Sequence, residues 1–121
     1  MKADRIRRAI EEMAELPGMV GCALVEIDAG MVWMSAGKTG NIHDLAEVTS
    51  DYWRLYQRLN PHFSDLGELR ALVMMHSRDW VSLFPCSRGM LAVTVTRDQK
   101  SVDWQSLQAK VRELSTLVND L

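Results

Sequence analysis

The sequence predicts an α+β fold in which five antiparallel strands carry helices on both faces. Three observations lead there. Apolar residues recur at helical spacing near each end of the chain and again over residues 42–59. Between these stretches lie five short runs rich in apolar and β-branched residues, each bounded by turn-forming residues. The resulting order is helix, two strands, long helix, three strands, helix, which layers helices on both sides of one sheet.

The first helix is expected from about Asp4 to Glu15. Ile6, Ala9, Ile10 and Met13 make its narrow apolar stripe, Asp4 stands where an N-cap belongs, and Pro17-Gly18 ends it. Val20 to Ile27 is nearly continuous in apolar residues, the pattern of a strand covered on both faces. Asp28-Ala29-Gly30 supplies a hairpin turn, and Met31 to Ala36 returns. Gly37-Lys38-Thr39-Gly40 breaks the pattern before Asn41 caps the long helix, whose first turn holds Asp44 at the positive end of the dipole. Asn60-Pro61 stops it. Three strands follow between Gly67 and Thr96: Leu69 to His76, Trp80 to Phe84 closed by Pro85, and Met90 to Thr96. Glu68 and Arg70 sit at the start of the first of these, as charges on an edge strand often do. Ser101 is the expected cap of the last helix, where Trp104, Leu107, Val111, Leu114, Val118 and Leu121 form one core-facing stripe.

The long helix has more apolar surface than one sheet requires. Ile42, Leu45, Val48, Thr49, Tyr52, Trp53, Leu55, Tyr56 and Leu59 cover roughly 180° of its circumference, whereas a helix resting on one sheet needs about 100°. The centre of the stripe (Leu45, Thr49, Tyr52, Tyr56) is expected on the sheet. One margin, Val48, Leu55 and Leu59, or the other, Ala46 and Trp53, is then left for a second copy of the chain, and the first is preferred. Trp53 and Tyr56 are read either as interface anchors or as core.

Bulk properties exclude several classes. A chain of 121 residues is expected to form one domain with a real core. The net charge of -2 and the pI near 5.9 speak against nucleic acid. No run of 18 apolar residues suggests a membrane span, and the charged N-terminus does not read as a signal peptide, so the cytoplasm is the expected location. Cys22 and Cys86 lack metal-ligand spacing and read as inert thiols. The methionines at 31, 34, 74, 75 and 90 are expected to fill the core, Met34, Met75 and Met90 above all because they lie in strands.

No chemical constellation stands out. Gly37-Lys38-Thr39 lies between a strand and a helix, but the earlier glycine of a phosphate-binding loop is replaced by Val32. His43 and Glu47 share a helix face without an evident third ligand. No catalytic residue, cofactor site or metal site is therefore assigned.

Two stretches carry a resemblance. LPGMVGCALVEIDAG, Leu16 to Gly30, has a helix end, a glycine-flanked apolar step, an apolar strand and an acidic-glycine turn. FPCSRGMLAVTV, Phe84 to Val95, forms the last hairpin. In these stretches and in its element order, from about residue 4 to 119, the chain resembles the Roadblock family, also called the Roadblock-type dynein light chains. The resemblance implies a profilin-like fold with the long helix on one face of a five-stranded antiparallel sheet and the terminal helices on the other. It also implies homodimers joined through edge strands and paired long helices. Taken with the stripe, this assigns Val48, Tyr52, Leu55, Leu59, Glu68 and Arg70 to the dimer interface. Many members of the family bind small Ras-like GTPases, which makes Arg54 and Arg58, one turn apart on the polar face, candidates for contact with such a partner or a related signalling protein. The expected function is a non-enzymatic regulator or scaffold. The alternative is a small-ligand sensor domain of the PAS, GAF or profilin-like kind, which requires a cavity with convergent polar groups.

Overall fold

The computed structural model describes every residue except Thr39, Asp98 and Gln99. Among the described residues the chain runs α1 (Lys2–Ala14), β1 (Met19–Glu26), β2 (Met31–Gly37), α2 (Ile42–Leu59), two short 3-10 turns (Asn60–His62 and Ser64–Leu66), β3 (Leu72–Met75), β4 (Trp80–Pro85), β5 (Met90–Thr96) and α3 (Trp104–Asn119). The sheet order is β2-β1-β5-β4-β3, with every neighbouring pair antiparallel. The first hairpin and the β3-β4-β5 meander are thus joined by pairing β1 with β5. The edge strands β2 and β3 are consecutive in sequence, so α2 must carry the chain from one edge to the other. Eighteen residues of helix reach ~27 Å, and four inter-strand gaps amount to ~19 Å, so one helix suffices.

Two cores lie on opposite faces of this sheet. On one, Ile6, Ile10 and Met13 of α1 and Leu107, Leu114 and Val118 of α3 pack on Cys22, Leu24 and Ala92. On the other, Ile42, Ala46 and Trp53 of α2 meet Val25, Leu83, Leu91 and Val93. The long helix therefore has one face of the sheet and the terminal helices share the other, as the resemblance implied. Alternation along β5 serves both cores, which is why its residues are buried throughout. Lys110 ties the two terminal helices together, with its ammonium 3.3 Å from both Glu12 and Glu113.

Several local expectations are corrected. The first helix starts at Lys2 with Met1 at the cap position, and Asp4 instead faces the terminal ammonium at 3.8 Å from within the first turn. The last helix is capped by Asp103 rather than Ser101. The Asp103 carboxylate accepts hydrogen bonds from the backbone N–H groups of Gln105 and Ser106 at 3.1 and 3.3 Å. The cap lies later because Val102 is buried first, under the turn at Gly18. A Cβ on Gly18 would fall 2.8 Å from Val102 Cγ2, and its φ of +81° suits glycine. Of the strand methionines, Met90 is core and Met34 and Met74 are half-buried, but Met31 and Met75, on the edge strands β2 and β3, are 56 and 70% exposed.

The strand expected from Leu69 to His76 is only Leu72–Met75, so Glu68 and Arg70 precede the edge strand instead of opening it. Proline chemistry accounts for the shortening. The Cys86 N–H points to β5, where it donates to the Met90 carbonyl at 2.8 Å. Alternation makes residue 85 face β3, and Pro85 has no N–H to give. The β3-β4 ladder accordingly ends at Leu72 opposite Leu83.

Candidate functional site

The side of α2 that rests on the sheet is not the centre predicted from apolar spacing. Ile42, Ala46, Thr49, Ser50 and Trp53 are buried, Leu45 and Tyr56 are half-buried, and Tyr52 is exposed. Two hydroxyls make this possible. Thr49 donates to the Ala46 carbonyl at 3.0 Å and Ser50 to the Glu47 carbonyl at 2.7 Å, so both are satisfied inside the helix and can face the core. Small residues then let the helix approach closely. Ile42 lies 3.2 Å from where a Cβ on Gly21 would be. Trp53 goes inward with this rotation, as a core residue.

The opposite consequence is an apolar stripe turned outward. Val48, Tyr52, Leu55 and Leu59 are 62, 50, 44 and 42% exposed. Their spacings of four, three and four are those of a seam between two helices. The pattern continues past the helix: Phe63, between the two 3-10 turns, and Leu66, in the second, are also exposed, and Phe63 stacks on Tyr56 with ring centroids 5.7 Å apart. These two are not evident from helical periodicity, because Asn60-Pro61 ends the helix before them. The continued spacing of Leu59, Phe63 and Leu66 was the available signal. On β3, Val73 is also exposed beside Met75.

The two arginines of the polar face differ. Arg54 turns back onto its own molecule. It pairs with Asp51 and donates to the Ser50 hydroxyl at 3.0 Å and to the Ile27 carbonyl. It therefore ties α2 to the β1-β2 turn, where Gly30 (φ +66°) leaves room for it. Arg58 is exposed and forms no ion pair among the described residues. The two share a shallow groove with Asp28, Asp51, Leu55 and Gln57.

A larger groove of about 950 Å³ opens where the β3-β4 ladder stops. Trp53 and Tyr56 line it from one side of the sheet and Val111 and Arg112 from the other, with Phe84 and Pro85 between them. Glu68 and Arg70 belong to its border, on the extended stretch before β3. Behind it the hydroxyls of Ser87 and Ser115 are 2.9 Å apart. Cys86 also lines the groove; burial pushes its thiol up to about 12, as it does that of Cys22, so both stay protonated at neutral pH.

The remaining candidates are reported for the described residues. His43, Asp44 and Glu47 bring one donor atom each to within 4.8 Å of one another, so Asp44 adds a third donor beside the pair seen in the sequence. All three are exposed, and no buried donor encloses them. In the Gly37-Lys38-Thr39 motif, Thr39 lies outside the described residues, and the Lys38 N–H is already donated to the Val20 carbonyl at 2.9 Å. Gly37 is there for packing: a Cβ would stand 2.4 Å from the Gly21 Cα. No helix among the described residues is long and apolar enough to cross a membrane.

No protein-family model and no curated protein matches the sequence. Solved structures do match the fold. A Roadblock/LC7 domain from Streptomyces avermitilis aligns with a TM-score of 0.76 at 17% identity, over 97% of this chain and 94% of that one. MglB from Myxococcus xanthus aligns with a TM-score of 0.77 at 16% identity, over 96% and 93%. An MglB described in a tetrameric arrangement gives 0.79 at 16% identity, over 98% and 91%. The backbones thus superpose over nearly the full length of both chains where side chains have diverged, and the chain has the fold of the Roadblock/LC7 domains.

Proposed function

We propose that this protein is a non-enzymatic, homodimeric Roadblock-like regulator or scaffold that binds a small Ras-like GTPase in the cytoplasm. The outward stripe of α2 carries the dimer part of the reading. Four large apolar side chains at seam spacing form a surface that water hydrates poorly and that a second copy of the same helix can cover. The edge strands supply the second element. Of the two, β2 is interrupted by a bulge at Trp33, between the Leu24–Met34 and Val25–Val32 pairs, and bulges discourage edge pairing. The regular, uncharged β3 is the better joint. In this reading Val48, Tyr52, Leu55 and Leu59 meet their counterparts, and the β3 edge takes over the place given to Glu68 and Arg70.

The GTPase part rests on the resemblance to the Roadblock family. Arg58 is the better candidate for that contact, since Arg54 is committed to Ile27 and Asp51. The protein would act by positioning the partner, supplying a surface and no reacting group. Light scattering at micromolar concentration should give about twice the chain mass of 13.7 kDa. Leu55→Glu should return the mass to that of one chain while leaving the circular dichroism spectrum intact, and a wild-type monomer refutes the dimer. Pull-downs with and without non-hydrolysable GTP should recover a small GTPase and lose it with Arg58→Glu. Recovery of none in either state refutes the partner.

A further inference from the structure

We propose that the groove at the open end of β4 is a binding site for a small monocarboxylate with an apolar body. The inference is independent of the dimer and of the GTPase. Its shape comes from Pro85, which ends the ladder with β3 and lets the stretch before β3 diverge. The same proline argues against a peptide strand as the occupant, because an added strand would meet the missing donor that β3 meets.

Charge selects the ligand class. Arg70, before β3, and Arg112, on α3, reach the groove from two elements distant in sequence. Both are exposed, and neither is in an ion pair among the described residues. Glu68 is the one carboxylate among the lining residues, so positive charge is in excess. Guanidinium groups match a carboxylate in geometry as well as in sign. Tyr56, Leu69, Phe84 and Val111 supply apolar surface between the charged borders, which suits a hydrocarbon or aromatic body better than a compact polyanion. A volume of about 950 Å³ lies within the range that small ligands occupy.

Calorimetric titration of the full chain with octanoate, octan-1-ol and octylammonium tests this, since the three share one apolar body and differ in head group. Octanoate should bind, and the alcohol and the amine should bind at least about tenfold more weakly. Arg112→Met and Arg70→Met should each weaken octanoate by about tenfold. Gln108→Trp, at an exposed position on the groove wall, should close the site while leaving the circular dichroism spectrum unchanged. Octan-1-ol binding as tightly as octanoate, arginine variants that bind octanoate normally, or no binding of octanoate at millimolar concentration would each overturn the proposal. Arg112 and Gln108 lie on α3, away from the α2 stripe, so these results and the oligomeric state can be read separately.

Discussion

At the scale of single residues, two positions show how a polar side chain can be spent on the fold. Arg54 carries a charge on a nominally polar helix face, yet its guanidinium serves the carbonyl of Ile27 and the hydroxyl of Ser50. Removing it leaves that carbonyl unsatisfied. Arg54→Met should therefore cost about 2 kcal/mol in urea denaturation, whereas Arg58→Met, lacking such partners, should stay within about 0.5 kcal/mol. Equal effects would contradict the division of roles. Asp103 is the second case. Hydrogen bonds from the Ser106 hydroxyl and backbone, and from Gln105, favour its charged form and hold its carboxyl below the ordinary 3.8. A pKa lowered by folding adds stability that is complete above the unfolded value and disappears as pH falls through the folded one. Asp103→Ala should thus lower the thermal midpoint at pH 6, and the gap to the parent protein should narrow as pH drops below 3.8. A gap that stays constant with pH would mean that the capping charge is not the cause.

At the scale of elements, α2 shows what periodicity can and cannot decide. Its limits, Ile42 to Leu59, are those expected from the sequence, as are those of β5, Met90 to Thr96. Both are long, regular runs with turn residues at each end. The rotation of α2 about its own axis was not legible. The apolar stripe is wide enough to be turned by one residue, and Ser50 reads as polar until its hydroxyl is seen bonded to the Glu47 carbonyl. Substitutions can report the rotation. Trp53→Ala removes a buried ring from the sheet side and should cost about 3–5 kcal/mol. Tyr52→Ala, from the outward side, should scarcely alter chemical denaturation of the monomeric Leu55→Glu background. A larger loss at Tyr52 than at Trp53 would place the helix the other way round. The strand β3 shows the reverse error: its apolar run extends to Leu69, but a neighbour's proline, 16 positions away from Leu69 in the chain, ends it early.

At the scale of the whole molecule, among the described residues the two cores leave uncovered the outer stripe of α2, the edge of β3 and the groove beyond Pro85, besides the bulged edge of β2. The first two are self-complementary in kind, since an apolar seam and an open strand edge each accept a copy of themselves under a two-fold axis. Dimerisation linked to folding should make thermal stability depend on concentration. The melting midpoint of the wild type should fall on tenfold dilution, while that of Leu55→Glu should not move. Identical, concentration-independent midpoints would speak for a monomer. The fold itself survives at 16–17% identity to its structural neighbours, as expected where alternation, turn positions and helix stripes matter more than particular side chains.

The sequence by itself determined the α+β class, the number and order of the elements, and the excess of apolar surface on the long helix. These are local properties, set by periodicity and turn chemistry within a few neighbouring residues. Only the tertiary structure decided which residues of α2 face outward, which arginine remains available, and where the groove opens. Each of those depends on a contact between segments far apart in the chain: Arg54 with the Ile27 carbonyl, Ile42 against Gly21, and Pro85 beside the stretch it declines to pair with.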